Sequence, residues 1–234
     1  MNKYFSLLLT ANILFASIPI QANEFKNDEQ FEMTPGTNYS GMSPEGEKEF
    51  WSEDNLRKLD EKIKILQEQN AKRPIPYAGE VILNTPRYTQ ETNYYCVPAC
   101  SQILIEYVTG AKKSQNELAG MMKTVEGRGT YMSDAQPVIT QLTGVNYELG
   151  NNTYSHYYQN MVADINANYP VIYSVDASVF GYGHGNYGHA VLGNGYAPGQ
   201  TWFWDPFPNF ASLWYCPVDE MSRALNNNGG YYIF

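Results

Sequence analysis

The chain has 234 residues, of which 43% are hydrophobic and 17% charged, and its net charge is −9 at pH 7. This composition is typical of a globular protein and excludes a mainly disordered one, and the length allows one domain with additional segments. The negative charge argues against nucleic-acid partners, which require a basic surface, and disfavours anionic membranes.

The first 22 residues predict a secretory signal peptide. Lys3 supplies a positive charge, residues 5–20 form an uncharged apolar stretch, and Ala22 is a small residue of the kind that signal peptidase prefers. A retained membrane anchor is the less favoured interpretation, because the apolar stretch is short for a span. We therefore expect an exported protein, secreted or periplasmic, without stable membrane insertion after cleavage.

Residues 23–73 predict a polar leader followed by an amphipathic helix. Residues 23–46 are rich in Pro, Gly, Ser and Asn, which is typical of a disordered or extended segment. A helix is expected after Ser52 as N-cap, with apolar residues at three- and four-residue steps up to Leu66, and Pro74 should end it. Two interpretations stay open: the helix packs on the following domain, or it is an inhibitory pro-segment lying over a functional site.

Residues 74–234 predict one domain in which helices precede strands. This segregation indicates an α+β fold. Helices are expected over residues 98–108, 133–142 and 155–167, and a further helix should begin at the capping box of residues 114–117. Strands are expected over residues 80–83, 171–175, 189–196, 201–205 and 231–234.

Three cysteines in an exported chain leave one unpaired if the other two join. Cys96 is the favoured unpaired thiol, because it directly precedes the helix whose first turn holds Pro98. The positive end of that helix stabilises a thiolate, the nucleophilic form of cysteine. Cys100 and Cys216 are then expected to form a disulfide.

A cysteine nucleophile requires a general base, usually histidine. Of the three histidines, His156 lies among tyrosines near a helix start and is interpreted as surface packing. His189 begins a predicted strand and is favoured as the base. His184 lies in the preceding glycine-rich loop and is a candidate substrate contact.

Asp205 and Gln90 are candidates for orienting the base and stabilising an oxyanion. Asp205 ends the strand that follows the strand of His189 across a short turn, so the two strands should pair as a hairpin and the carboxylate can orient the imidazole. The alternative is an ordinary Asp-Pro turn. Gln90 lies six residues before Cys96, and its amide can join the Cys96 N–H as an oxyanion donor. We expect no metal and no cofactor, since the spacing of these residues does not match a zinc site.

Together these motifs resemble the C39-like peptidase family of the papain clan. The resemblance is carried by Gln90, by the helix-opening Cys96-Val-Pro-Ala, by residues 188–196 and by Trp204-Asp205-Pro206, and it runs from about residue 77 to the end. It implies a papain-like fold, with the nucleophile in an N-terminal helical half and the histidine and aspartate in a C-terminal antiparallel sheet. It also implies Cys96 as nucleophile, His189 as base, Asp205 as its orienter and Gln90 as oxyanion donor.

The sequence departs from the family pattern at Val97, where glycine is often found, and the valine adds bulk beside the thiolate. We expect Val97 and Trp204 to contact substrate together with His184. The best-known members cut double-glycine leaders as parts of ABC transporters. No transporter segment is visible in this sequence, so that substrate is not expected here.

The sequence therefore predicts a secreted cysteine peptidase that cleaves peptide or protein substrates through a thioester intermediate. One alternative is an amidase, deamidase or transglutaminase acting on cell-wall or protein amides, with aromatic residues such as Trp204 stacking on sugars. Another is a non-catalytic binding module that retains the fold. The sequence indicates no oligomeric state.

Overall fold

The computed structural model of the protein describes residues 33–72, 79–181 and 185–234. The predicted signal peptide, the helix end at Pro74 and the candidate His184 lie outside these residues. The α-helices are α1 (Pro44–Phe50), α2 (Glu53–Lys72), α3 (Cys96–Thr109), α4 (Gln115–Met121), α5 (Met132–Thr143), α6 (Tyr157–Asn166) and α7 (Val218–Asn227), and the strands are β1 (Val81–Ile82), β2 (Leu149–Asn151), β3 (Val171–Asp176), β4 (Gly188–Ala197), β5 (Gln200–Asp205), β6 (Ser212–Pro217) and β7 (Tyr231–Ile233).

Local capping signals set the bounds of the central helices. Gly110 and Gly144 take left-handed conformations, with φ of 72° and 69°, directly after α3 and α5, as glycine does most easily at a helix C-terminus. Ser114 and Glu117 form the predicted capping box at the start of α4. These helices are therefore confirmed to within a few residues.

The strands of the described residues form one antiparallel sheet in the order β2-β7-β3-β4-β5-β6, with β1 paired to β4. β4 lies near the middle and is buried along its length except at its last residue, which requires cover on both faces of the sheet. The sheet and the helices confirm the predicted α+β fold.

Two hydrophobic cores lie on opposite faces of the sheet. Adjacent residues of β4 point to different cores, Leu192 to the first and Val191 to the second. The first core packs α3, α4 and α5 against the sheet, and the second packs α2, α6 and α7.

The predicted disulfide between Cys100 and Cys216 is wrong, because both residues are free thiols in the structure. Cys100 lies on α3 in the first core, where its sulfur contacts the Ala190 carbonyl, whereas Cys216 lies on β6 and faces the second core. The sheet separates the two side chains, and a disulfide requires their Cβ atoms to approach within about 4 Å.

The described part of the polar leader, residues 33–46, packs against the domain. Tyr39 and Ser40 are 1% and 0% exposed, and Phe50 at the end of α1 packs into the second core. The apolar stripe of α2 reaches the same core through Leu59 and packs against α6. The helix therefore docks on the domain, as the first interpretation of the sequence expects.

Within the part of the chain that the structure describes, no helix combines the length and the apolar character that crossing a bilayer requires.

Candidate active site

Cys96 occupies the first position of α3, after Tyr95 as N-cap, and is fully buried. Backbone N–H groups in the first turn of a helix have no acceptor inside the helix, and they give this end a partial positive charge. Cys96 therefore lies at the positive end of α3.

His189 and Asp205 lie side by side at the ends of two paired strands. His189 is the second residue of β4 and Asp205 is the last residue of β5, which pair as the predicted hairpin. His189 Nε2 lies 2.9 Å from Asp205 Oδ1, both side chains are fully buried, and the same carboxylate oxygen accepts the N–H of Phe207 at 2.8 Å. A carboxylate held in this way fixes the orientation of the imidazole.

The charges of this group favour a protonated histidine. Burial opposes an imidazolium and is the largest influence, but the charge and hydrogen bond of Asp205 and the hydrogen bond and charge of Cys96 outweigh it and raise the pKa of His189 to about 10. Since Nε2 faces Asp205, Nδ1 is the ring nitrogen available to the Cys96 sulfur. A histidine held protonated in this way can donate a proton to a neighbouring group.

Cys100 lies one turn further along α3 and is less suited to attack. Burial, and then the charges of Cys96 and Asp205, raise the pKa of the Cys100 thiol well above its usual value. This thiol is therefore held in its neutral form.

Gln90 reaches the edge of the site through its backbone, whose N–H donates to the Pro206 carbonyl at 2.8 Å, beside Asp205. Its side chain is 1% exposed, and Nε2 donates to the Thr92 carbonyl at 2.8 Å. The amide is thus bound to Thr92, and its predicted role as an oxyanion donor stays a prediction. In this form the amide is held by its own loop, and serving an oxyanion requires it to turn away from Thr92.

Val97 and Trp204, expected to contact substrate, are instead packed inside the first core at 0% and 7% exposed. The indole N–H of Trp204 donates to the Tyr88 carbonyl at 2.9 Å. Neither side chain presents a surface to substrate in this structure. Among the residues described here, no three His, Cys, Asp or Glu side chains are grouped so as to hold a metal ion.

A contact that the sequence does not reveal involves the leader. The Tyr39 carbonyl oxygen lies 3.8 Å from Cys96 Sγ, and the Ser40 hydroxyl donates to the His189 carbonyl at 2.8 Å. Residues 36–41, here named the cleft segment, therefore lie directly on the site. The only local signals in the sequence are the Pro35-Gly36 turn and small polar residues, which do not indicate where the segment binds.

Comparison with known proteins gives one family. Residues 82–227, more than half of the chain, match the model of the Peptidase_C39 like family. No curated protein matches the sequence. Among solved structures, the chain is similar to a C39-like peptidase from Bacillus anthracis, with a TM-score of 0.55 and 15% identity over 66% of this chain and 96% of that one.

Two further solved structures give lower TM-scores. The peptidase domain of Streptococcus ComA, a bi-functional ABC transporter involved in a quorum sensing pathway, gives a TM-score of 0.43 and 18% identity over 63% of this chain and 95% of that one. A double glycine motif protease from an AMS/PCAT transporter, in complex with the leader peptide, gives a TM-score of 0.46 and 11% identity. This comparison covers 66% of this chain and 92% of that one. The evidence for a shared fold is therefore the comparison with the Bacillus anthracis structure, because the TM-scores of these two structures are below 0.5.

Proposed function

We propose, from the premise that this chain belongs to the Peptidase_C39 like family and has the fold of C39-like cysteine peptidases, that it hydrolyses peptide bonds with Cys96 as nucleophile. The observation that supports this role is the placement of Cys96 at the start of α3, beside a histidine held by Asp205 at 2.9 Å. Nucleophile, base and orienter then form one connected group of side chains.

In the proposed reaction, the Cys96 thiolate attacks the carbonyl carbon of the scissile amide. The oxyanion is stabilised by the N–H of Cys96 and by the amide of Gln90 once it has turned from Thr92. The His189 imidazolium protonates the leaving amine, so that a thioester and neutral imidazole remain. His189 then accepts a proton from water as the water attacks the thioester, and the thiolate leaves.

Asp205 serves this cycle by holding His189 in one orientation and by stabilising its charged form. We further propose that the protein acts on peptide or protein substrates after export, which the signal-like first 22 residues support. Trp204, the aromatic residue named for sugar binding, gives no comparable support, because it is 7% exposed and packs in the first core.

The test is cleavage of a peptide library by the chain and by its Cys96→Ala variant. Each is assayed intact and after limited proteolysis between residues 43 and 50, because the cleft segment contacts the sulfur. We expect Cys96→Ala to lose cleavage by about 10⁴-fold or more, and the matched Cys100→Ala variant to retain it. Undiminished cleavage by Cys96→Ala in either form would refute the proposal.

A further inference from the structure

We infer that the cleft segment, residues 36–41, keeps the enzyme latent by filling the groove that a peptide substrate must enter. The inference rests on the proposed function for the identity of the groove. Its starting observation is that Cys96, His189 and Asp205 are all 0% exposed. A peptidase whose nucleophile is fully buried cannot receive a substrate, so whatever covers Cys96 must leave before catalysis.

On the sheet side, the cleft segment is held by main-chain hydrogen bonds to the residues just before His189. The Gly36 N–H donates to the Asn186 carbonyl at 2.7 Å, the Gly188 N–H donates to the Thr37 carbonyl at 2.9 Å, and the Tyr39 N–H donates to the Gly188 carbonyl at 3.1 Å. The segment thus lies beside the start of β4, where Asn38 and Gly188 form a single parallel bridge between turns at residues 35–36 and 39–40.

On the helical side, the Thr130 N–H donates to the Tyr39 carbonyl at 3.0 Å and the Met132 N–H donates to the Gly41 carbonyl at 2.8 Å. The fit is close at Gly129, where an added Cβ would lie 2.2 Å from the Tyr39 oxygen. The backbone of the cleft segment is therefore bound from both halves of the domain, with the Cys96 sulfur between them.

Side-chain hydrogen bonds, one of them between the fully buried hydroxyls of Ser40 and Ser174, hold the cleft segment in this position. Ser40 is 0% exposed, and its hydroxyl lies 2.9 Å from that of Ser174. Asn228 donates to Ser174 at 2.8 Å and to the Asn38 side chain at 3.3 Å. Buried polar groups that are paired in this way are costly to expose singly, so the segment should leave as a unit.

The bound carbonyl is not placed for attack. The Tyr39 oxygen takes its backbone hydrogen bond from Thr130, while the Gln90 amide donates to Thr92. The donors proposed for an oxyanion are therefore not engaged with this carbonyl. The cleft segment therefore blocks the sulfur without being cleaved. The inhibitory role that the sequence suggested for α2 belongs instead to the cleft segment.

Covalent linkage keeps the cleft segment in place. The chain continues from it into α1 and α2, which are anchored on the second core by Phe50 and Leu59. Because the cleft segment is joined covalently to α1, its effective concentration at the site is high. Cutting the chain after the segment lowers this effective concentration without changing any contact of the segment. A cut just after the segment should therefore open the site.

The experiment inserts the recognition sequence of a specific protease after the exposed Pro44 of the full chain, so that the protein folds before it is cut. The matched control carries the same insertion after Ala111, in the exposed loop between α3 and α4. After cutting and gel filtration, two quantities are measured: the rate at which iodoacetamide alkylates Cys96, located by peptide mapping, and cleavage of the peptide library.

We expect cutting after Pro44 to raise Cys96 alkylation by about tenfold or more, in proportion to the open fraction, and cutting after Ala111 to leave it unchanged. A synthetic peptide of residues 33–43 should reverse the increase. If alkylation rises but no peptide is cleaved, the latency stands and the proposed peptidase function fails. Equal alkylation before and after the cut, with full library cleavage by the uncut chain, would overturn the latency.

A second variant needs no cut. Ser40→Asp places a carboxylate at a fully buried site and should expel the cleft segment, raising Cys96 alkylation in the intact chain. Its control is Ser43→Asp, since Ser43 is the N-cap of α1 and aspartate caps a helix equally well. Circular dichroism shows whether the rest of the domain stays folded. Unchanged alkylation in folded Ser40→Asp protein would count against the inference.

Discussion

Asp205 should account for a pH-dependent part of the stability of this domain, and the substitution Asp205→Asn isolates it. In the folded protein the pKa of His189 is about 10, against an ordinary value of 6.5. The folded state therefore holds this proton more tightly than the unfolded state. Its contribution to stability is fully present below pH 6.5 and is lost as the pH rises through about 10.

The size of the effect follows from that difference. A rise from 6.5 to about 10 corresponds to at most about 5 kcal/mol, at about 1.4 kcal/mol for each tenfold change in proton affinity. Between these two values the free energy of unfolding should fall by about 1.4 kcal/mol per pH unit because of His189 alone. Asparagine keeps a hydrogen-bonding group but removes the charge, so most of this slope should disappear.

The assay is urea unfolding between pH 6.5 and pH 9.5, with both proteins in a Cys96→Ala background so that Asp205 is the remaining group that raises the pKa of His189. Without Cys96 the pKa of His189 falls somewhat below its full value, because two of the contributions that raise it are removed. Other titrations are common to both proteins and cancel. The reasoning is refuted if the Asp205 and the Asp205→Asn proteins show the same slope.

Three further outcomes are expected. Replacing Gln90 by Ala should lower kcat of the opened enzyme by about 10²–10³-fold with little change in KM, and a change confined to KM would contradict its role as an oxyanion donor. Gly144→Ala should destabilise the fold by about 1 kcal/mol in thermal unfolding because φ is 69° there, whereas Gly120→Ala, at an exposed position of α4 with open space around its Cα, should stabilise it slightly. Thiol titration of protein unfolded without reductant should give three free thiols, and a count of one would restore the disulfide.

The sequence was sufficient wherever a signal is local. Capping residues bounded α3, α4 and α5, and a short turn between two β-like segments predicted the hairpin that joins His189 to Asp205. The sequence also carries a signal for α7, which the predicted helices do not include, since its buried residues Met221, Ala224 and Leu225 recur at helical spacing. The helix α1 and the strand β2 are 7 and 3 residues long, too short to show a periodicity.

Tertiary structure alone decided which side chains are accessible. Cys100 and Cys216 are separated by a sheet between them, and Trp204 is turned into a core rather than toward a substrate. The cleft segment is held mainly by backbone hydrogen bonds to residues about 90 to 150 positions away. Such bonds involve groups that nearly every residue carries, so they leave no pattern in the sequence. The role proposed for Cys96 could therefore be predicted from its neighbours in the chain, whereas the segment that covers Cys96 could be found only in the folded structure.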